Sequence, residues 1–385
     1  MNKREFLVGL IIVISAAFSS SGCQPRSTSK TEAGSPFVFR SLDLSQRRKD
    51  GLRDWDLTSP EARYDLTSRT IRARGPKGVL YQNDQPAYSI SADLATVLQD
   101  GELMVLEGSV LLRRLNERPL LIKGDRLIWN PERSQMVINQ RPQADDGSSR
   151  IQSRSVTFLQ KENQLTFSGP MQIDRWDGPF KPDTPPTTRI TGTKGSWNLE
   201  TGVIAAAGPI QAKQRSGQQL KASRVEGNTR KGFLELIQPV VLTLEKNRGT
   251  VQAGLTRWAF NNKRLISTEP VRATLKQGTV QGSGFNLNQG TNTVIIPANC
   301  SFRQADQSLK ADRCSWNWET ELVVADGDVV LVRKNPDQVT RAPRMEATIG
   351  DEGEVRFGGA GERVKSSIQL KPNPNDKPRR SPVTF

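Results

Sequence analysis

Over short stretches of this chain, apolar and polar side chains alternate one for one. Tyr88, Ile90, Ala92 and Leu94 alternate with small or polar neighbours, as do Leu103 and Val105, and Val110 and Leu112. A period of two is the signature of a strand with one buried face. No stretch offers a run at helical spacing. A short motif recurs at roughly 30-residue intervals: an aliphatic residue, any residue, then Ala, Gly or Ser. It reads Ile90-Ser91-Ala92, Ile122-Lys123-Gly124, Ile151-Gln152-Ser153, Ile190-Thr191-Gly192, Leu220-Lys221-Ala222, Val251-Gln252-Ala253, Val280-Gln281-Gly282 and Leu309-Lys310-Ala311. One interval is longer and contains the Pro-rich run DGPFKPDTPPTT, a surface loop by composition.

A second position is locked to the first. Seven residues after each aliphatic residue stand Val97, Trp129, Phe158, Trp197, Gly227, Trp258, Leu287 and Trp316. A polar turn follows, such as NPERSQ or NLETG, then another apolar segment closed by Pro or Gly-Pro. Each unit therefore predicts strand, turn, strand, kink, strand. The parity shift between the small residue and the aromatic one predicts a bulge or corner, which a small residue suits. Alternation leaves one apolar face that must be buried against neighbouring units and an opposing sheet. The expected fold is all-β: an elongated, folded-over antiparallel β-jellyroll, taco-like, with each repeat adding about one strand per sheet. Its interior would be a continuous apolar trough. Trp129, Phe158, Trp197, Trp258, Phe260, Leu287 and Trp316 are the candidates to line it, and plain core packing is the competing reading of each.

The ends have a different character. Lys3 and Arg4 precede the apolar run Leu7–Phe18, which ends in Ser19, Ser20, Ser21, Gly22 and Cys23. This is the pattern of a secretory signal over 1–22, shorter than the roughly 20 apolar residues of a spanning helix. SSGC resembles a bacterial lipobox, which makes Cys23 the expected lipidation site; an ordinary cleaved signal or an uncleaved anchor is the other reading. Residues 23–36 are polar and small and read as a flexible tether. The body divides into 37–175, the loop insertion 176–189 and further repeats over 190–360. The basic, Pro-rich end, 361–385, reads as a disordered tail.

Composition narrows the chemistry. The chain has 385 residues, 55 Lys and Arg against 40 Asp and Glu, a net charge of +15, and no His. The positive balance suits an anionic partner such as a membrane surface or charged glycolipid, and secretion argues against nucleic acid. Without His there is no Ser-His-Asp or Cys-His catalysis and no His-ligated zinc. Three Cys cannot make a Cys-only metal site once Cys23 is set aside, so no metal and no cofactor are expected. Asp93, Asp125 and Asp312 follow the motif three residues after its aliphatic position. Arg154, Thr193, Ser223 and Gly254 fill the same slot elsewhere, so it reads as a turn position rather than a site. Cys300 and Cys314 lie symmetrically about Gln307. In a hairpin turning at 306–308 they would sit on paired strands within bridging reach, in a compartment that allows oxidation.

The segment from Phe37 to about Ala144 resembles the LptC family of lipopolysaccharide exporters. The resemblance rests on Phe37-Val38-Phe39, Leu42-Asp43-Leu44 with Gln46, Trp55-Asp56-Leu57-Thr58-Ser59-Pro60-Glu61-Ala62, and GDRLIWNPE from Gly124. The later repeats are similar to the wider group of LptA, LptC and LptD domains. The resemblance implies a periplasmic β-jellyroll that takes lipopolysaccharide from an inner-membrane ABC transporter at its N-terminal edge. It would pass the glycolipid to an LptA-like or LptD-like jellyroll at its C-terminal edge, without being an enzyme. Such chains are typically shorter and carry a transmembrane N-terminal helix where this one has a lipobox-like end. The chain is thus expected in the periplasm, anchored to a membrane, probing two alternatives: a secreted β-solenoid scaffold for polysaccharide or envelope proteins, whose core would be filled, and a β-helix lyase, whose Asp or Arg cluster does not stand out.

Overall fold

The computed structural model describes residues 37–369, apart from 116–118, 179, 181–182, 246–247, 277, 335–336, 349–353 and 359–362. The signal, Cys23, the tether and the chain beyond 369 lie outside the described residues. The described strands belong to one compact unit and join one antiparallel sheet, with no α-helix among the described residues.

The repeat accounts for how this sheet folds. Long strands such as Leu121–Asn130, Gln164–Arg175 and Gly278–Asn288 cross a corner in mid-strand, each with another long strand on one side and a pair of shorter strands on the other. Two arms result. On one arm the aliphatic positions pair in a single inward row. Ile90 faces Leu112, then come Ile122, Ala144, Ile151, Ile173 and Ile190. The row continues through Leu220, Val251, Val280 and Leu309 to Leu331. On the other arm the positions seven residues later form a second row: Met104, Trp129, Met136, Phe158, Leu165 and Trp197, and later Trp258, Leu265, Leu287, Val294 and Trp316. The arms are named here for these aliphatic and aromatic rows. Each repeat adds two strands to each arm, twice the expected number, because the second apolar segment of a unit also breaks at the corner.

The expected corner is present as a line of register shifts, at Gly124/Arg126, Thr191/Lys194 and Gln281/Ser283 among others. The small residue is required there for a steric reason. A Cβ added to Gly124 would lie 2.4 Å from Ile138 Cγ2, and one on Gly282 would lie 2.1 Å from Ile296 Cγ2. The corner brings the next strand's isoleucine against the backbone, and only a missing or minimal side chain leaves it room.

Two buried clusters fill the fold. One runs from Trp55 to Leu199 and the other from Ile210 to Met345. The Pro-rich insertion leaves the sheet between Gln164–Arg175 and Thr188–Asn198. It folds back on itself: Trp176 is buried and donates from Nε1 to the Thr184 carbonyl at 2.7 Å, while the Arg150 guanidinium lies 4.2 Å from the Phe180 ring centre. One part of the expected tail is a correction. Lys365–Gln369 is a strand, paired with Asp337–Thr348, because the aliphatic-arm half of that strand offers it a free edge.

The corner packing is testable. Gly124→Ala should destabilise the protein by about 1–3 kcal/mol through overpacking. Combined with Ile138→Ala it should cost clearly less than the two single changes added together, as read from urea midpoints.

Candidate functional site

Along the first cluster, large side chains on both arms meet and leave no room. The Trp55 and Trp129 rings stand edge to face at 5.3 Å, and Tyr88 meets Phe158 at 5.2 Å. Trp129 and Phe158 are 1% exposed. Farther along, the aliphatic row becomes smaller, with Val251, Ala273 and Val280, while the opposite row keeps Leu287, Val294 and Trp316. The side chains no longer reach across. A cavity of about 840 Å³ opens between the arms, walled by Val251, Val280, Phe302 and Leu331 on one side and Leu287, Trp316, Val323 and Val355 on the other. Its size falls within the ~300–1,000 Å³ usual for a ligand site.

The sequence-based candidates divide accordingly. Leu287 and Trp316 line the cavity. Trp129 and Phe158 are packed in the first cluster, with Trp197 half-buried against it. Trp258 borders a separate pocket of about 30 Å³ with Ala212, Gln218 and Leu242. Phe260 sits in a short 3-10 turn at an arm tip, its ring 5.0 Å from the Arg175 guanidinium. One repeat position therefore supplies both filled core and cavity wall, and what faces it decides which. Trp129, Trp197 and Trp316 also share a buried indole N–H that meets no acceptor among the described residues. These rings are held for their apolar area, at the cost of an unmade hydrogen bond.

The Cys pair forms the cavity floor. Cys300 and Cys314 are joined by a disulfide with Cα atoms 5.9 Å apart, and both line the cavity. The route differs from the expected hairpin. Arg303 pairs with Ser308, so the turn comes earlier, and Cys300 pairs with Ala311. The chain then breaks at Asp312 and carries Cys314 to the other arm, where it pairs with Ile296. The bridge thus spans the corner between the arms.

The mouth of the fold is latched along part of its length. Gln82 Nε2 donates to Asn163 Oδ1 at 3.1 Å and to the Gln160 carbonyl at 2.9 Å, and the Tyr88 hydroxyl donates to Asn163 Oδ1 at 2.9 Å. Arg114 donates to the Leu199 carbonyl at 3.3 Å. Arg175 covers Phe260, and Gln289 Nε2 reaches Gln218 Oε1 at 3.3 Å. Each contact joins a turn or strand end of the aliphatic arm to a turn of the aromatic arm some 70 to 85 residues later. The next turn pair in this series carries Arg248 on one rim and Trp318 with Glu319 on the other. All three line the cavity, and no ion pair joins Arg248 to Glu319 among the described residues. No sequence signal marked these latches, since their residues are single Gln, Asn and Arg in turns.

Residues 6–141 match the model of the LptC-related lipopolysaccharide-assembly family. This part of the chain is similar to the LptC-related family. The match takes in the segment whose motifs carry the resemblance, and it ends before the strands that form the cavity. No curated protein matches. Among solved structures, the crystal structure of LptH, the LptA homologous periplasmic component of the conserved lipopolysaccharide transport device from Pseudomonas aeruginosa, is 17% identical. That alignment covers 29% of this chain and 78% of that one, with a TM-score of 0.25. The cavity thus lies outside the matched residues, in the later repeats.

Burial pushes the Tyr88 hydroxyl up to about 12 from the usual 10. The unfolded chain ionises first, so the stability tied to neutral Tyr88 is complete below pH 10 and lost as the pH rises toward 12. Tyr88→Phe should lower stability near neutral pH by about 1 kcal/mol through loss of the bond to Asn163, and should remove this alkaline step from the profile of unfolding midpoint against pH.

Proposed function

We propose that this chain is a periplasmic lipopolysaccharide-transport protein whose later repeats accept the acyl chains of the glycolipid. The observation that carries this reading is the cavity between the arms beyond the last mouth latch. An acyl chain moved from water into such a space gains about 0.8 kcal/mol per buried CH₂, and the open mouth lets the sugar part stay in water. The LptC-related family match supports the same transport role. No catalytic step is assigned: the chain acts as a carrier. The corner disulfide would hold the arms at a fixed spacing under the cargo.

The filled first cluster takes a different part. It fits a rigid strut that presents the N-terminal edge. There Phe37, Val38 and Phe39 are 54%, 60% and 43% exposed, and their strand pairs on one side with Glu61–Asp65. Exposed strand edges invite pairing with another chain, and in this reading the partner is the inner-membrane ABC transporter. At the far end, Val355–Gly358 and Lys365–Gln369 are the outer strands. They would receive an LptA-like or LptD-like jellyroll. The anchor is a lipid on Cys23 after removal of 1–22, which mass analysis of the mature N-terminus tests.

Photo-crosslinking amino acids at Leu287 and Trp316 should capture lipopolysaccharide in cells, and the same probes at Trp129 and Phe158 should not. Ala273→Trp, which fills the cavity from the aliphatic arm, should cut capture at Trp316 at least fivefold without unfolding the protein. Equal capture at all four positions, or none at Leu287 and Trp316, would remove the cavity from the transport role and leave a scaffold.

A further inference from the structure

One residue along from the inward aliphatic row, a second row faces outward on the same arm. Register places Gln211 beside Lys221, and then Val241, Gln252, Arg272 and Gln281 in successive strands. The row continues through Ser301, Lys310, Val330 and Arg341 to Lys365. A neighbouring outward row passes from Lys213 through Thr243, Thr250, Thr274 and Thr279 to Arg303. Neither row contains a carboxylate along these stretches. Lys221, Arg272, Lys310 and Arg341 are exposed, and none of them takes part in an ion pair among the described residues.

The outward face of the aromatic arm is built differently. Three of its arginines have carboxylates beside them: Arg224 meets Glu226 at 3.1 Å, Arg344 meets Asp326 at 2.6 Å and Glu346 at 2.7 Å, and Arg356 meets Glu354 at 2.7 Å. The two faces share a fold and a period, so the difference lies in side-chain choice alone. One face sets carboxylates among its cations. The other carries unpaired cations set in a field of amides and hydroxyls.

We propose that the outer face of the aliphatic arm, from Gln211 to Lys365, binds an extended anionic saccharide. Lys221, Arg272 and Lys310 are separated by three strand steps each, or about 14 Å at ~4.8 Å per step. Between them stand Gln252 and Gln281, with the threonine row alongside, at the same regular step. Such a face offers a charge at intervals and hydrogen-bonding groups between, on a backbone already fixed in place, so little ordering cost attends binding. A sugar chain with acidic groups at intervals and hydroxyls between them is the complementary ligand. A lipid surface would use the cations but leave the amides and threonines idle, and the two rows offer for insertion just the short, half-buried Val241 and Val330. The inference rests on the outer face and is independent of what the cavity holds.

The test uses the full chain with polygalacturonate oligosaccharides as the anionic probe. Neutral dextran and anionic phosphatidylglycerol vesicles serve as the comparisons. Calorimetry should find polygalacturonate binding that weakens as salt rises, with no binding of dextran. Lys221→Gln/Arg272→Gln/Lys310→Gln should weaken it at least tenfold. Arg224→Gln/Arg257→Gln/Arg356→Gln, which removes equal charge from the other face, should change it less than twofold. All three outer-row positions are exposed, and matching thermal melts would establish that both variants fold. Equal losses in the two variants would reduce the effect to net charge and overturn the proposal. So would vesicle binding that depends on the outer row while polygalacturonate binding does not, which would assign the face to a lipid surface. Capture of glycolipid at Trp316 is read separately, so failure here and failure of the cavity reading are distinguishable.

Discussion

The apolar face of each arm can be covered only by the other arm, and the rest of the structure follows from that constraint. A single sheet with one apolar side has no helix layer here to bury it against. The long strands must therefore turn a corner, and the corner needs a residue small enough to admit the isoleucine of the next strand. Gly124 and Gly282 meet that need directly. The seven-residue offset between the aliphatic and aromatic positions is the distance along one strand from the inner face of one arm to that of the other, with the bulge absorbing the change of parity.

How well the arms cover each other depends on what faces what. Where Trp55 and Tyr88 project from the aliphatic arm, the aromatic arm is met and the interior is closed. Where Val251, Ala273 and Val280 take their place, the same aromatic row stands back from its partner and a cavity remains. The apolar side chains facing that hollow have no side-chain partner across it, and a bound acyl chain would supply those contacts. The disulfide across the corner ties the arms where packing between them is weakest.

The two ends of the described chain and the two outer faces are likewise unequal. The mouth is held by hydrogen bonds and a cation–π contact as far as Gln218 and Gln289, and no further latch joins the rims among the described residues. One outer face sets carboxylates beside several of its arginines, and the outward row of the other carries none along the described strands. A period shared by all repeats fixes the backbone, and departures within the period decide what each part of the surface and interior can bind.

The sequence by itself determined the strand period, the corner and the two rows, because alternation and the small residue at a fixed offset are local properties that survive in any context. Trp129, Phe158, Trp197, Trp258 and Trp316 were legible as one inward row. Their individual surroundings were not. Trp129 is core because Trp55 lies across from it, and Trp316 is a cavity wall because Val251, Ala273 and Val280 leave space between the arms. The same held for the cysteines: Cys300 and Cys314 were legible as a pair, but their strands and the corner they span depended on where Asp312 breaks the chain. The latches and the unpaired outer row were invisible for the same reason. A partner 70 or more residues away leaves no local trace in the pattern, and only the folded sheet brings the two together.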